Sequence, residues 1–411
     1  MRKLALSITF IIGLFLLFWA LAPRQSIVSD KAESLEQYLP AVMEEAAIPG
    51  LSLAIIHDNE LVHIAGYGFA NVENDRPMRA DTPINIASIS KPILGISLLQ
   101  LRDQGLLDLD TDINAYLPYL IDNPHLQNEV VTLRHLASHS SGIADFLDPN
   151  DWTHDVDPQV SLNTHIEGLL TPSGARYQGG AHFLEQEPGA AREYSNLGAG
   201  VAGAIAETVS GTSLQDLTRQ SIFEPLEMND TSWFLSDFSL DELAVRYEVR
   251  QCIPYIGICA TSIDPVANYL IGRVFRPAKS YKHFEAYPHY GNPNYPDGGV
   301  HSSVSDLAKL TLWLLRRNEQ SNSELLSDYS FSEMLKLQLP ENVSTRQRFF
   351  WRDRFGLTGH AGSDRGVFAS LYFDVGSGDA VIVLMNRTPD GDTEHAMESI
   401  IERAKLEYFN R

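Results

Sequence analysis

Cysteine is nearly missing from this chain: there are two in 411 residues, Cys252 and Cys259. Two are too few for a disulfide framework, so a hydrophobic core has to hold the fold. The 13 histidines do not gather with cysteine at a zinc-ligand spacing either. His135 and His139 stand four apart, a spacing that puts two residues on one helical face, but no H-E-x-x-H pattern surrounds them. No metal and no other cofactor is expected. Positive charge is also short: Lys+Arg 31 face Asp+Glu 53, a net charge of −22. A chain of that sign repels phosphate backbones, so nucleic acid is not expected as a partner. Internal repeats and long low-complexity runs are missing too, which argues against a disordered chain.

What is present is apolar. Hydrophobic residues make up 44% of the chain, and 411 residues are ample for a large core. The longest apolar run, Leu4 to Ala22, follows Arg2 and Lys3. Roughly 20 apolar residues span a bilayer as a helix, and basic residues before the run favour export of all that follows. Ala20-Leu21-Ala22 offers a small-x-small cleavage site, but the run is long and Pro23 follows directly. Residues 1–23 are therefore expected to be a membrane anchor, with a cleaved signal peptide as the alternative, and residues 24–34 a linker. In the exported compartment Cys252 and Cys259 are expected to pair, closing a short loop worth about 2 kcal/mol; two free thiols are the alternative.

Periodicity then sets out the rest. Leu35, Leu39, Val42, Met43 and Ala46 have helical spacing, interrupted at Pro40. Gly50–His57, a turn at Asp58-Asn59, and Glu60–Asn71 read as a hairpin. Helices are expected over Ser88–Asp103, Leu133–Ala137, Gly198–Ser210 and Ser303–Arg316, the last with Ser303 capping toward Asp306. A second hairpin, Val367–Asp374 and Asp379–Asn386, precedes a helix over Thr393–Tyr408. Residues 246–296, rich in tyrosine and proline, show little periodicity and read as a long irregular stretch that rims a site. Strands at both ends with helices between suggest an α/β protein of the α+β type. Its antiparallel sheet, flanked by helices, would take residues 35–105 and 300–411, and a mainly helical subdomain 106–299.

Three short motifs carry chemistry. In Ser88-Ile89-Ser90-Lys91 the lysine lies one helical turn after the serine, on the same face, where it can act as the base a serine hydroxyl needs. On its own this pattern reads equally as an N-capping serine beside a solvated lysine. Tyr194-Ser195-Asn196 offers a phenol that can relay protons and an amide that can hold a carbonyl. His360-Ala361-Gly362-Ser363 offers small residues that let a substrate backbone approach.

In this order the motifs resemble the serine β-lactamase superfamily, in particular its class C β-lactamase, D,D-carboxypeptidase and esterase branch. S-x-x-K, Y-x-N and H-x-G stand at Ser88/Lys91, Tyr194/Asn196 and His360/Gly362. The flanks INIASISKPILGISLLQLRDQGLLDLDTDINAYLP, VTLRHLASHSSGI, PGAAREYSNLGAGVAGAIAETVSG and PDGGVHSSVSDLAKL are similar to family segments as well. The resemblance covers about residues 35 to 409. It implies a serine hydrolase with Ser88 as nucleophile, Lys91 as its partner and Tyr194 as proton shuttle. It further implies an oxyanion hole from the backbone N–H groups of Ser88 and Ser363, with Asn196, His360 and Gly362 binding substrate. Which of Lys91 and Tyr194 is the base stays open, because the two are coupled.

His360 bears on the substrate, a small molecule or peptide carrying an acyl group. Many β-lactamases hold a lysine at this position, whereas histidine, with an ordinary pKa near ~6.5, is mostly uncharged at neutral pH. An esterase or a peptidase/amidase is therefore expected ahead of a β-lactamase or D,D-carboxypeptidase. No acidic residue is evidently placed to take a substrate amine. A catalytically inactive penicillin-recognising protein is the remaining alternative; the presence of serine, lysine and tyrosine together speaks for an enzyme.

Overall fold

The computed structural model describes residues 34–251, 282–317 and 325–409. The apolar run before Pro23 and the pair Cys252/Cys259 lie outside the described residues. Among the described residues no helix is long and apolar enough to cross a membrane.

The strands are β1 (Gly50–His57), β2 (Glu60–Asn71), β3 (Arg76–Pro77), β4 (Ile84–Asn85), β5 (Thr153–His154), β6 (Arg246–Gln251), β7 (Lys282–Tyr287), β8 (Tyr290–Gly291), β9 (His301–Ser302), β10 (Arg352–Arg354), β11 (Leu357–Asp364), β12 (Val367–Asp374) and β13 (Asp379–Met385). Seven of them form one antiparallel sheet in the order β10-β11-β12-β13-β1-β2-β3. Both expected hairpins are there, and β1 joins them by pairing with β13, Leu53 opposite Val383. Strands from the two ends of the described chain thus make one sheet.

Period-two alternation explains why β1 and β13 are apolar throughout. Leu51, Leu53 and Ile55 join Val381, Val383 and Met385 on one face, under α1 (Leu35–Glu45) and the C-terminal helix Gly391–Tyr408. Ala54 and Ile56 join Ala380, Ile382 and Leu384 on the other face, in the larger core. Helix α1 runs through Pro40 rather than starting at it. Pro40 is early enough that the carbonyl it leaves unbonded lies in the first turn.

The larger core surrounds α2 (Ser90–Asp103), buried from Ser90 to Leu101. Such a helix is apolar on every side because protein covers every side. Helices α3 (Leu133–Ala137), α4 (Leu162–Leu170), α5 (Asn196–Ser210), α6 (Leu214–Thr218), α7 (Val304–Leu315) and α8 (Asp328–Leu335) share this core, with α5, α6 and α8 packed directly on α2; the C-terminal helix is α9. Ser303 caps α7 by accepting from the Asp306 N–H at 3.1 Å, as the sequence suggests.

Two expectations change. The stretch 246–296 is not wholly irregular: β6 pairs with β7, and β8 with β5. Residues Arg246 to Val249 are all buried, charged and apolar alike, so β6 carries no period-two signal among the tyrosines and prolines. His360-Ala361-Gly362-Ser363, just before the expected strand Val367–Asp374, itself lies on a strand, β11. Its pairing with β12, Gly362 opposite Ala369, overrides the poor strand preference of glycine.

Candidate active site

The site forms where the β4–α2 connection meets β11. Asn85 fixes that connection: its side-chain amide donates to the Gly298 and Val300 carbonyls at 2.9 and 3.3 Å and accepts from the Ala87 N–H at 3.1 Å. Ala87 takes a left-handed conformation, φ 46°, rare for a residue with a Cβ. A 3-10 turn over Ala87–Ile89 follows, so Ser88 precedes α2 and does not open it. Ser90 seals the turn by donating to the Ala87 carbonyl at 2.7 Å and accepting from the Val300 N–H at 3.0 Å. Ser88 then faces the cleft.

Lys91 sits one turn on and is fully buried. Its ammonium donates to Ser88 Oγ at 3.0 Å, Asn196 Oδ1 at 2.7 Å and the Asp297 carbonyl at 2.5 Å. All three donors of the group are used. Tyr194 reaches Ser88 Oγ from the other side, its hydroxyl donating at 2.9 Å. Lys91 and Tyr194 of the sequence-derived group therefore meet at Ser88 Oγ, and Asn196 joins them through Lys91.

Tyr194 is held by His139, whose ring lies 4.3 Å from the phenol ring. His139 has φ 55°, its carbonyl accepts from the Glu193 N–H at 2.7 Å, and its Nδ1 accepts from the Ser195 N–H at 3.3 Å. Burial, together with the charges of Lys91 and Arg192, holds its pKa well below the ordinary imidazole value, so the ring is neutral and Nδ1 can accept. His135 has a separate task, closing a capping box with Thr132 at the start of α3. Ser195 caps α5 by accepting from the Gly198 N–H at 2.8 Å. Asp145 accepts from the Asn196 backbone N–H at 2.8 Å and from its amide at 3.3 Å, which turns Asn196 Oδ1 toward Lys91.

Asp297 is the buried acid that the sequence reading passed over. Its carboxyl accepts from Asn294 Nδ2 at 3.2 Å, and Asn294 also donates to the Asn196 carbonyl at 2.9 Å. Burial raises its pKa to about 7, with Lys91 pulling the other way. Gly200 in α5 permits this arrangement: a Cβ there would stand 1.7 Å from Asn294 Oδ1. The glycines of NLGAGVAG read simply as helix residues, and the flank PDGG carried no assigned role, so only the fold could reveal the pairing.

The opposite wall is β11. Its outer neighbour β10 stops at Arg352, opposite Gly359, so the edge from His360 to Ser363 is open toward the cleft. Gly362 packs on the nucleophile turn, where a Cβ would meet the Ile86 carbonyl at 2.2 Å. Only glycine allows that approach. Ser363 is exposed at the cleft mouth beside Ser88. His360 Nδ1 donates to the Ala361 carbonyl at 2.6 Å. Burial, then the charge of Lys91, pushes the His360 pKa down to about 3. The ring is thus neutral well below the pH that an ordinary imidazole implies.

Ser88 opens onto two spaces. One, about 130 Å³, is lined by Trp152, Phe234, Tyr290, Asp157, Asp297 and Asp364 among others. Part of the tyrosine-rich stretch therefore does rim this site, and acidic groups stand there that the sequence did not announce. The other, about 690 Å³, is lined by His360, Tyr194 and the arginines 192, 346, 352 and 354. The positive charge missing at position 360 is present, but on other residues. Among the described residues no group of three metal-ligating side chains occurs.

The pattern of the Beta-lactamase family matches residues 35–405, and the protein belongs to that family. It is similar to "Protein flp" of Staphylococcus aureus (strain N315), 25% identical over 231 residues, 56% of this chain and 44% of that protein. It is also similar to "Penicillin-binding protein 4*" of Bacillus subtilis (strain 168), 28% identical over 224 residues, 53% of this chain and 46% of that protein. The match thus spans less than half the length of these relatives. The D-amino acid amidase of Ochrobactrum anthropi SV3 shares the fold, with a TM-score of 0.67 at 21% identity, covering 91% of this chain and 99% of that one.

Proposed function

We propose that the protein is a serine hydrolase that works through an acyl-enzyme on Ser88, an esterase or a peptidase/amidase. One observation carries this reading: Ser88 Oγ is within hydrogen-bond distance of both Lys91 Nζ and Tyr194 OH, at 3.0 and 2.9 Å, at the mouth of a cleft. In the reacting state one of the two, having lost its own proton, accepts the Ser88 proton as Oγ attacks the acyl carbon. The Oγ–C bond forms, the carbonyl oxygen takes the negative charge facing the N–H groups of Ser88 and Ser363, and the bond to the leaving alcohol or amine then breaks. That proton passes to the leaving group. Water, activated by the same pair, returns the free acid and Ser88.

Substrate class follows from the two walls. The open edge of β11 suits an extended substrate backbone lying along His360–Ser363. The smaller space pairs aromatic rings with carboxylates, which suits an acyl group bearing an aromatic ring or an amine. The D-amino acid amidase shares this fold, and an aminoacyl amide fits the same description. A neutral His360 carries no charge of its own where a lysine would anchor a β-lactam carboxylate, and the positive charge of that space stands on its arginines instead. The basic residues Arg2 and Lys3 ahead of the apolar run support an exported location.

The test is a panel of chromogenic acyl esters, D-aminoacyl anilides, D-Ala-D-Ala peptides and a chromogenic cephalosporin, each run against Ser88→Ala. Turnover of an ester or anilide that falls by ~10⁴-fold or more in Ser88→Ala is the expected result. Cephalosporin turnover above ~10⁵ M⁻¹s⁻¹, typical of a dedicated enzyme, overturns the substrate reading. Labelling by a serine-directed probe that survives Ser88→Ala overturns the nucleophile.

A further inference from the structure

Four guanidinium groups lie along β10 and the loop before it, Arg346, Arg348, Arg352 and Arg354, and Arg192 joins them from the segment before α5. Two are neutralised. Arg348 makes a bidentate pair with Asp353 at 2.6 and 2.9 Å, and Arg354 pairs with Glu398. The other three, Arg192, Arg346 and Arg352, have no carboxylate partner among the described residues, and all three line the large cleft that holds Ser88. Arg192 donates only to an amide, Gln347 Oε1, at 2.7 Å.

Three like charges placed together repel one another. Arg192 is pushed down to about 10 and Arg352 is also lowered, each first by burial and then by a neighbouring arginine. Surface arginines normally relieve such repulsion by swinging into water. Here the backbone that carries Arg346 and Arg352 is tied down, although the Arg346 side chain itself is exposed. The Asp353 N–H donates to the Arg346 carbonyl at 2.9 Å, and the Arg348 N–H to the Trp351 carbonyl at 2.8 Å. Buried Gln347 ties the loop from inside, donating to the Arg348 and Trp351 carbonyls at 2.9 and 3.1 Å. The chain as a whole carries −22, which makes a positive corner without acid partners beside Ser88 the more unusual.

We infer that Arg192, Arg346 and Arg352 form a subsite for a doubly negative group on the substrate, a dicarboxylate or a phosphoryl group, on the leaving-group side of Ser88. Guanidinium forks match both anions in a bidentate way, and two negative charges offset three positive ones better than a single carboxylate does. The inference rests on the serine-hydrolase reading of the cleft and adds what that reading lacks, the charge of the leaving group.

Two measurements on the full chain test it. The first needs no turnover: calorimetric binding of succinate, of inorganic phosphate and of acetate to Ser88→Ala, alone and combined with Arg346→Gln plus Arg352→Gln. One or both dianions should bind at least about tenfold more tightly than acetate, and the arginine substitutions should weaken that binding about tenfold or more. Raised salt should weaken it as well. The second compares esters of one acyl group whose leaving alcohols carry no charge, one carboxylate, two carboxylates or a phosphate. The ratio of kcat/KM for doubly charged over neutral leaving groups should exceed about tenfold and collapse in the double variant, with Arg346→Lys plus Arg352→Lys retaining part of it. Succinate over phosphate, or the reverse, identifies the anion. Dianions that bind no better than acetate overturn the inference, as does a preference that survives the double substitution. Ser88-dependent cleavage of the neutral ester without charge preference leaves the hydrolase reading intact and removes only this subsite. Dianion binding without cleavage of any ester does the opposite.

Discussion

The two walls of the cleft are built on opposite terms. On the wall made by α2 and α5, polar groups are already engaged: Lys91 uses all three donors, Asn196 is pinned by Asp145, and Asn294 links Asn196 to Asp297. On the wall made by β10 and β11, a strand edge is open, and Arg346 and Arg352, together with Arg192 from the segment before α5, lack acid partners among the described residues. A saturated wall holds reacting groups at fixed geometry whatever is bound, which is what proton transfer needs. An unsaturated wall is completed only by a ligand, so it discriminates. Changes on the first wall should then lower turnover of every substrate alike, and changes on the second should alter the ranking of substrates.

The sharpest way to break this contrast is Lys91→Met. It keeps the length of the stem and removes the charge that bridges Ser88, Asn196 and the Asp297 carbonyl. We expect kcat/KM to fall by ~10⁴-fold or more for every substrate, with their ranking unchanged. A loss confined to one substrate class would show that Lys91 binds substrate and does not serve the nucleophile.

Gly362→Ala probes the seam between the walls. Its Cβ would stand 2.2 Å from the Ile86 carbonyl, so β11 has to move off the nucleophile turn. That displaces Ser363 from Ser88, and a lost oxyanion donor costs about 10²-fold in kcat. The smaller effect should appear in kcat with the fold intact by circular dichroism. An unchanged kcat would mean that Ser363 contributes nothing to the oxyanion.

Much of the saturated wall was legible in sequence because its chemistry is local. Ser88 and Lys91 are three apart on one turn, and Tyr194 and Asn196 flank the cap of α5. The sheet hairpins were legible for the same reason, since alternation is read within a few residues. What stayed hidden depends on distant segments. Asp297 is held by Asn294, which settles on α5 only because residue 200, 94 positions earlier, is glycine, and no local pattern marks that pairing. Strand β11 hides behind glycines whose strand form is imposed by β12. The arginines at 346 and 352 carry no motif, and only their placement across from Ser88 sets them apart from surface charge. His360 was read as an imidazole of ordinary pKa because sequence reports neither burial nor the neighbouring Lys91.

The smallest and broadest effect concerns acid. His360 lines the cleft, and His139, His165, His289 and His301 are buried; burial is the first cause that lowers the pKa of all five, to about 3 for His360 and about 4 for His165 and His289. In the unfolded chain each returns to about 6.5. Between those values the unfolded state binds more protons, so stability is complete above pH ~6.5 and falls as pH drops below it. Asp297 works the other way. Its pKa is raised to about 7, so it adds stability as pH falls through 7, but it is one group against five. Each proton taken up on unfolding is worth about 1.4 kcal/mol per pH unit. Denaturant melts at pH 8, 6.5, 5.5 and 5 should therefore show stability nearly level from 8 to 6.5 and then falling with a slope of more than one proton, above the range where ordinary carboxylates titrate. His360→Asn should remove about one proton from that slope without flattening it. A slope unchanged by His360→Asn would mean that His360 is solvated and chargeable, and a cationic residue on the β11 wall would then join the arginines in the ranking of substrates.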